Sequence, residues 1–235
     1  KSKRGYTALH LASNQGKAQV VELLMLKGAD IEAKDNHGYT ALHFAAEDGH
    51  AAVVELLMQK GADIEAKDND GCAALHHASA HGHAAVVELL LQKGADIEAK
   101  GYEDCTALHL ASGEEEAPLV ELLLQKGADI EAKNIKGSTA LHFASIQGHA
   151  AVVELLMQKG ADIKAKDKHG STALLSASRQ GHAAVVELLM QKGADIEAKN
   201  NHGYTALHVA SIQREAPIVE LLIQKGADIE ARTNG

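Results

Sequence analysis

Two histidines one helical turn apart are the residues of this chain whose type and spacing could bind a metal ion. The segment HHASAHGH places His77 and His81 at positions i and i+4, on one face of a predicted helix. Zinc sites use three or four ligands, and the candidate carboxylates Asp48 and Glu114 belong to neighbouring copies of a repeat, about 10 Å away at helix packing distances. We therefore expect no metal and no cofactor. A pH-sensitive contact between protonated His81 and those carboxylates is favoured over a metal site.

Other reactive side chains do not assemble into a catalytic pattern. Cys72 and Cys105 occupy the same position in adjacent repeats, about 10 Å apart, whereas the Cα atoms of a disulfide lie within about 7 Å. We expect both to be free thiols near the binding face. The sequence has no serine in a nucleophile elbow and no glycine-rich loop before a Lys-Ser or Lys-Thr pair. We therefore expect that the protein is not an enzyme.

Charge and composition narrow the class of protein. The 235 residues contain 23 lysines and arginines against 32 aspartates and glutamates, a formal charge of −9, which disfavours nucleic acid and anionic membranes and favours a partner with a basic patch. No apolar run reaches the roughly 18 residues of a membrane span, and the first residues lack an apolar signal core. We expect a soluble protein that is not exported. The cytoplasm fits this expectation, and the sequence contains no signal for another compartment. With aromatics at 3%, the core must consist of small aliphatic side chains on closely packed helices.

A 33-residue period organises the whole chain. The heptapeptide GADIEAK or a near variant begins at Gly28 and recurs every 33 residues up to Gly226. We therefore expect a single domain over residues 1–235. Its seven repeats span residues 2–34, 35–67, 68–100, 101–133, 134–166, 167–199 and 200–232.

The recurring TALHLA, TALHFA and TALHVA segments at Thr7, Thr40 and Thr205, followed by GHAAVVELL and GAD, resemble the ankyrin repeat family over the entire chain. The family's usual proline after the threonine is alanine in every copy. The resemblance implies an all-α repeat solenoid, each repeat comprising a β-hairpin-like turn and an antiparallel helix pair, with a concave face that binds protein. It also implies that six histidines bond the threonine hydroxyl and nearby backbone, namely His10, His43, His76, His109, His142 and His208.

The residues of one repeat account for its elements. Thr40 is suited to cap a short helix, Gly49 to supply a left-handed turn, and Gly61 to end a second helix. Ala73 lacks the cap that Thr40 provides. The second helix carries an apolar stripe formed by Val53, Val54, Leu56 and Leu57.

Variation among the seven copies is concentrated at the hairpin tip, after the TALH histidine, and at the end of the first helix, and every aromatic residue falls there. Aromatic residues are favoured at binding hot spots. We interpret the tyrosines as partner contacts, whereas packing between repeats is the favoured interpretation of Phe44 and Phe143. The predicted partner-binding residues are Tyr39, Phe44, Glu47, Asp48, Asp70, His77, His81, Tyr102, Glu103 and Glu114.

Charge in these variable positions is acidic in repeats two to four and mildly basic in repeats five to seven. One interpretation is a solvated surface that keeps the array soluble; the other is a field that orients a basic partner toward repeats two to four. The leading hypothesis is a non-enzymatic protein-binding module or scaffold. The alternative is a structural array, or a slice of a longer one, without a partner of its own.

Departures from the repeat raise further expectations. Asp104, Glu115 and Arg214 replace turn glycines, so these loops should change shape. Lys164 in place of glutamate and Leu175 in place of histidine are interpreted as drift or selection noise. The uniform framework fits either a recently duplicated array or a designed or library-selected binder. We expect a monomer, with possible end-to-end association through apolar residues of repeat seven: Val209, Ile212, Ile218 and Ile223.

Overall fold

A computed structural model of the chain describes residues 4–234. These residues form fourteen α-helices, arranged as seven successive pairs, and one turn of 3-10 helix at Tyr102–Asp104, and contain no β-strand. The first helices of the pairs are α1 (Ala8–Asn14), α3 (Ala41–Glu47), α5 (Ala74–Ala80), α7 (Ala107–Gly113), α9 (Ala140–Gln147), α11 (Ala173–Gln180) and α13 (Ala206–Gln213). The second helices are α2 (Ala18–Leu26), α4 (Ala51–Gln59), α6 (Ala84–Gln92), α8 (Ala117–Gln125), α10 (Ala150–Gln158), α12 (Ala183–Gln191) and α14 (Ala216–Gln224).

Each pair begins and ends at residues that the sequence marks. α3 starts after Thr40, whose extended backbone makes it the N-cap residue and whose hydroxyl lies 2.8 Å from His43 Nδ1. Gly49 adopts φ 73° between the two helices, and Gly61 adopts φ 87° after the second, as the predicted left-handed turns require. α5 starts after Ala73, where no side-chain oxygen caps the helix. The predicted helix pair is therefore confirmed.

The described residues divide into two compact units. The first comprises the residues up to Ala111 together with Pro118–Ala128, and the second comprises Ser112–Ala117 and the residues from Asp129 onward. In the first unit, α1 packs on α3 and α3 on α5, while α2, α4 and α6 form a parallel layer. In the second unit, α9, α11 and α13 form one layer and α10, α12 and α14 the other.

The core of each unit consists of the small aliphatic residues that the composition requires. Val53, Val54 and Leu57 of α4 are fully buried, as are the corresponding Val185, Val186 and Leu189 of α12. Alanines of the first helices are also buried, as Ala41 and Ala45 of α3 are. Small side chains let the helices approach closely, so the core needs no large aromatic residue.

Hydrogen bonds in the loops after the second helices link successive repeats. A lysine ammonium donates to the carbonyl oxygen 33 residues later, as Lys34 does to Lys67 at 2.6 Å. A glutamate Oε1 accepts from an aspartate backbone N–H 31 residues later, as Glu32 does from Asp63 at 2.8 Å. Because the donor and acceptor recur with the period, the same bonds repeat along the loops.

Two substituted turns behave differently from each other. Glu103 and Asp104 both adopt positive φ, 53° and 59°, and the turn becomes a 3-10 helix, so the predicted irregularity is present there. At Arg214 the prediction of a changed loop is wrong. Arg214 adopts φ 65°, keeps the left-handed conformation and caps α13, because the roughly 1 kcal/mol cost of that conformation is smaller than the packing that fixes both flanking helices.

Candidate functional site

A groove of about 400 Å³ lies in the first compact unit, between the hairpin turns and first helices of repeats one to three. Five of the ten predicted partner-binding residues line it: Tyr39, Phe44, Glu47, Asp48 and Asp70. We call it the acidic groove. Its other lining residues are Tyr6, Asn14, Asp35 and His37.

Aromatic rings form one wall of the acidic groove. Phe44 packs edge-on against Tyr6, with ring centroids 5.5 Å apart, and lies 5.3 Å from the ring of Tyr39. Tyr39 in turn lies 4.7 Å from the imidazole of His77. Phe44 is half-buried. Its side chain therefore both packs between repeats one and two and lines the groove.

A buried aspartate holds this wall in place. Asp68 accepts from His77 Nε2 at 2.9 Å through one carboxylate oxygen and from the backbone N–H groups of Asp70 and Cys72 through the other. His77 Nδ1 then faces the hydroxyl of Tyr39 at 3.4 Å. Burial, followed by the nearby carboxylates of Glu47 and Asp68, raises the pKa of Tyr39, which therefore stays neutral. The network fixes Tyr39 and His77 against the groove.

Carboxylates line the acidic groove besides its aromatic wall. Those of Asp35, Glu47, Asp48 and Asp70 line it, and no lysine or arginine of the described part of the chain does. Asp35 uses its Oδ1 to close its own turn, accepting from the backbone N–H groups of His37 and Tyr39, and Asp48 accepts from the side-chain amide of Asn14. Among residues 4–234, no lysine or arginine forms an ion pair with Glu47, Asp48 or Asp70. The groove is thus negatively charged and open to a cation.

His77 and His81, the two histidines with metal-ligand spacing, form hydrogen bonds with different partners. His77 is committed to Asp68, whereas His81 Nδ1 bonds the carbonyl oxygen of His77 at 2.9 Å and its ring stacks on His83. The part of the chain that the structure describes contains no group of three residues placed to hold a metal ion. His81 is exposed at the end of α5 and does not line the groove.

The histidines of the TALH segments have the structural role that the family resemblance implies. His43 Nδ1 accepts from the backbone N–H of Thr40 at 3.1 Å and lies 2.8 Å from the threonine hydroxyl, and Nε2 donates to the carbonyl oxygen of Cys72 at 3.1 Å. Burial, reinforced by nearby His77, lowers the pKa of His43 to about 4. Burial also lowers the pKa of His76 and of His142. These rings are neutral structural links.

Three predicted partner-binding residues lie outside the acidic groove on other elements. Tyr102 is 60% exposed in the 3-10 turn, where its backbone N–H donates to Cys72 Sγ. Glu103 is half-buried in the same turn, and Glu114 is exposed in the turn after α7, within the second compact unit. Neither cysteine forms a disulfide among the described residues; Cys72 is half-buried and Cys105 is buried.

Analysis of the sequence missed the constant residues that hold the turns of the groove in place, because it looked for functional residues at the variable positions. Asp68 and Asp35 begin their hairpins, and an aspartate or asparagine at that position closes the turn in most repeats. The histidine after the turn glycine was also missed: His50 bonds the carbonyl of Asn14, and His83 that of Glu47. Their regular recurrence was the available signal, because framework positions repeat while site positions vary.

Apolar residues of repeat seven divide into two groups. Val209 and Ile218 are buried, so the expectation that they form an apolar end surface is wrong. Ile212 and Ile223 are exposed, as is Ile229 in the following loop. Within residues 4–234, every helix is too short or too polar to cross a lipid bilayer.

The helix pairs and their threonine–histidine bonds can be compared with those of known proteins. The family model for ankyrin repeats (3 copies) matches residues 1–68, 63–134, 100–167 and 166–233. The chain belongs to the ankyrin repeat family. Among solved structures, the human ASB11 ankyrin repeat domain is similar with a TM-score of 0.83 and 25% identity, over 95% of this chain and 99% of that one.

The ankyrin repeat domain of Bcl-3, described as a unique member of the IkappaB protein family, is similar with a TM-score of 0.75 and 37% identity, over 93% of this chain and 100% of that one. No curated protein matches. Ankyrin repeat domains generally mediate protein–protein interaction and are typically non-enzymatic binding modules. The family explains the helix pairs and the threonine–histidine bonds.

Proposed function

We propose that this chain is a non-enzymatic protein-binding module whose acidic groove engages a basic segment of a partner protein. The observation that carries the proposal is the combination of aromatic rings and unpaired carboxylates in one groove. Lysine and arginine side chains pair apolar stems with cationic ends, so the stem fits against Tyr39 and Phe44 while the cation meets Glu47 and Asp70.

The remaining predicted residues extend this surface in the proposal. His77 positions Tyr39, and Asp48 adds charge at the rim. His81, Tyr102, Glu103 and Glu114 would contact a partner only if it covers more than the groove, and we propose them as peripheral contacts. We propose, further, that both compact units belong to one domain of seven repeats, because the 33-residue period runs through the chain without a break.

Affinity capture with a matched control tests the proposal. The groove variant Glu47→Gln with Asp70→Asn removes two carboxylates while keeping side-chain size. The control variant Glu22→Gln with Glu55→Gln removes two carboxylates from exposed positions of α2 and α4. A partner retained by the wild type and the control but lost by the groove variant supports the proposal. If all three chains capture the same proteins, or none, the scaffold without a partner of its own replaces it.

A second candidate function is self-association, favoured by the exposed Ile212, Ile223 and Ile229. Exposed branched aliphatic side chains on one repeat can bury one another in a second copy. Light scattering over a dilution series tests this candidate. A dimer that Ile223→Lys abolishes supports it, and a monomer at every concentration removes it.

A further inference from the structure

A cavity of about 690 Å³ lies in the second compact unit, and it shares no lining residue with the acidic groove. It opens between the loops that follow α10 and α12. Six of its lining residues carry the argument below: Lys164, Lys166, Thr172, Asp195, Glu197 and Lys199. We call it the lysine cavity. It coincides with two places where the chain departs from its own framework.

The first departure removes a carboxylate. In the loops after α2, α4, α8 and α12, a glutamate Oε1 accepts from the backbone N–H of the aspartate 31 residues later, at 2.7 to 2.9 Å. Lys164 stands where the glutamate would be, so the backbone N–H of Asp195 has no acceptor among the described residues. The substitution leaves a hydrogen-bond donor open and places an ammonium group in the position of a carboxylate.

The second departure removes a hydrogen-bond acceptor. In other repeats the backbone N–H before the first helix donates to a histidine Nδ1 at 3.1 to 3.3 Å. Leu175 replaces that histidine in repeat six, and the N–H of Thr172 has no acceptor within the described part of the chain. Thr172 is only 5% exposed. A buried donor without a partner is costly, and a ligand oxygen would relieve that cost.

The charges around the cavity favour an anion. Three lysines face two carboxylates, whereas the corresponding positions of repeats two and three, namely Glu65, Lys67, Asp96, Glu98 and Lys100, hold two lysines and three carboxylates. Both cavity carboxylates are engaged. Asp195 accepts from the backbone of Glu197 at 2.9 Å, and Glu197 accepts from the backbone of Asp228 at 2.8 Å.

The lysines differ in their availability. Lys166 donates to the carbonyl oxygen of Lys199 at 2.9 Å, and Lys199 donates to that of Arg232 at 2.9 Å. Lys164 Nζ has no hydrogen-bond or ion-pair partner among the described residues. The cavity is therefore lined by one free ammonium group and by two residues, Asp195 and Thr172, whose backbone N–H groups have no acceptor among the described residues.

We propose that the lysine cavity binds a carboxylate ligand, held by Lys164 and by the backbone N–H groups of Asp195 and Thr172. The sister repeats show which chemistry fits, because the same aspartate N–H is satisfied there by a carboxylate of the chain itself. Ionised acceptors form the strongest bonds with such donors. The ligand in this site replaces the internal glutamate that Lys164 displaced.

Titration of the ¹⁵N-labelled chain with N-acetylglutamate methylamide, followed by NMR, tests the proposal. We expect saturable shifts at the amides of Asp195 and Thr172. Lys164→Glu, which restores the internal carboxylate, should weaken binding at least tenfold. Arg179→Glu makes the same charge change at an exposed position that does not line the cavity, and should leave binding unchanged within about twofold.

Three outcomes would overturn the proposal. Shifts that never saturate, or that are equal in both charge-reversed variants, indicate a general ionic effect. Saturable binding of inorganic phosphate without any response to the glutamate mimic contradicts the carboxylate assignment. Shifts confined to residues outside the cavity place the ligand elsewhere. Because the groove residues are untouched in these variants, the result is independent of the proposed partner binding.

Discussion

The acidic groove of the first compact unit and the lysine cavity of the second arise from different kinds of change in the same repeat. The groove is built at positions that vary among all the copies, such as Tyr39 and Glu47. The cavity is lined by Lys164 and by Thr172, which loses its usual acceptor through Leu175, and both changes stand at positions that are otherwise constant. Residues at variable positions change the surface of a fold that stays the same, whereas the changed framework positions leave backbone N–H donors without the acceptors that other repeats supply.

The matching positions of the second unit show how much the groove depends on its side chains. Where the groove has Tyr39 and Glu47, repeat five has Ser138 and Ile146, and repeat six has Ser171 and Arg179. The helices that carry them have the same bounds relative to the repeat, within one residue. The charge and aromatic character of the groove are therefore properties of individual residues on a constant scaffold.

The largest expected effect tests whether matching core positions of the two units contribute equally to the free energy of unfolding. Leu57→Ala in α4 and Leu189→Ala in α12 each empty a fully buried position, and each should lower the free energy of unfolding by roughly 3 kcal/mol. Urea unfolding of the two variants measures the losses. A difference above about 2 kcal/mol, against this expected near-equality, would show that the two units are packed differently.

A smaller loss is expected when the framework histidine is removed from the first unit. His43→Leu leaves the backbone N–H of Thr40 and the carbonyl of Cys72 without partners, which should cost about 2 kcal/mol at pH 7. The reverse change, Leu175→His, should stabilise the chain, since it supplies the missing acceptor for Thr172. Thermal unfolding checks both. Equal stability of His43→Leu and the wild type would remove the histidine from the account.

Acid should destabilise the chain through the buried histidines. The ring of His43 binds a proton near pH 6.5 in the unfolded chain but only near pH 4 in the folded one. The unfolded state therefore binds more protons between these values, and the free energy of unfolding falls as the pH decreases from about 6.5 to about 4, by up to about 1.4 kcal/mol per pH unit for each such ring.

Above pH 6.5 this contribution stays constant. Urea unfolding at several pH values should give a shallower pH dependence for His43→Leu than for the wild type. Repeat six has Leu175 in place of the titrating histidine. Hydrogen exchange at pH 5 should therefore rise more around α3 and α5, which carry such a histidine, than around α11. Parallel pH curves for the two chains would contradict the burial of His43.

The smallest effect concerns the uncapped helix of repeat three. Ala73→Thr supplies the hydroxyl that Thr40 has in the neighbouring repeat and should stabilise the chain by about 1 kcal/mol. Thr40→Ala should lose a similar amount. The melting temperature measures both changes. A lower melting temperature for Ala73→Thr would mean that the hydroxyl does not fit beside His76.

The fold follows from the sequence because the signals recur. Threonine caps, left-handed glycines and the apolar stripe of the second helix appear in copy after copy, and each has a local physical cause. Local rules determine these features, so a single repeat is enough to predict them.

The rest depends on contacts that one repeat does not contain. Asp68 meets His77 within its own repeat but reaches Tyr39 of the preceding one through that histidine. Lys164 and Leu175 are separated along the chain, and only the packing of the loops places Asp195 and Thr172, whose donors they leave unfilled, around one cavity. Arg214 shows the reverse case, because neighbouring helices impose a backbone conformation that its own side chain disfavours.

Hydrogen exchange of the partner complex tests the central claim most directly. With a captured partner bound to the wild-type chain, protection should increase at residues 35–48 and 68–77, while the corresponding residues 134–147 and 167–176 stay unchanged. That result would place the partner on the acidic groove. Protection of the second unit alone, with none around Tyr39, Glu47 and Asp70, would contradict the proposed site.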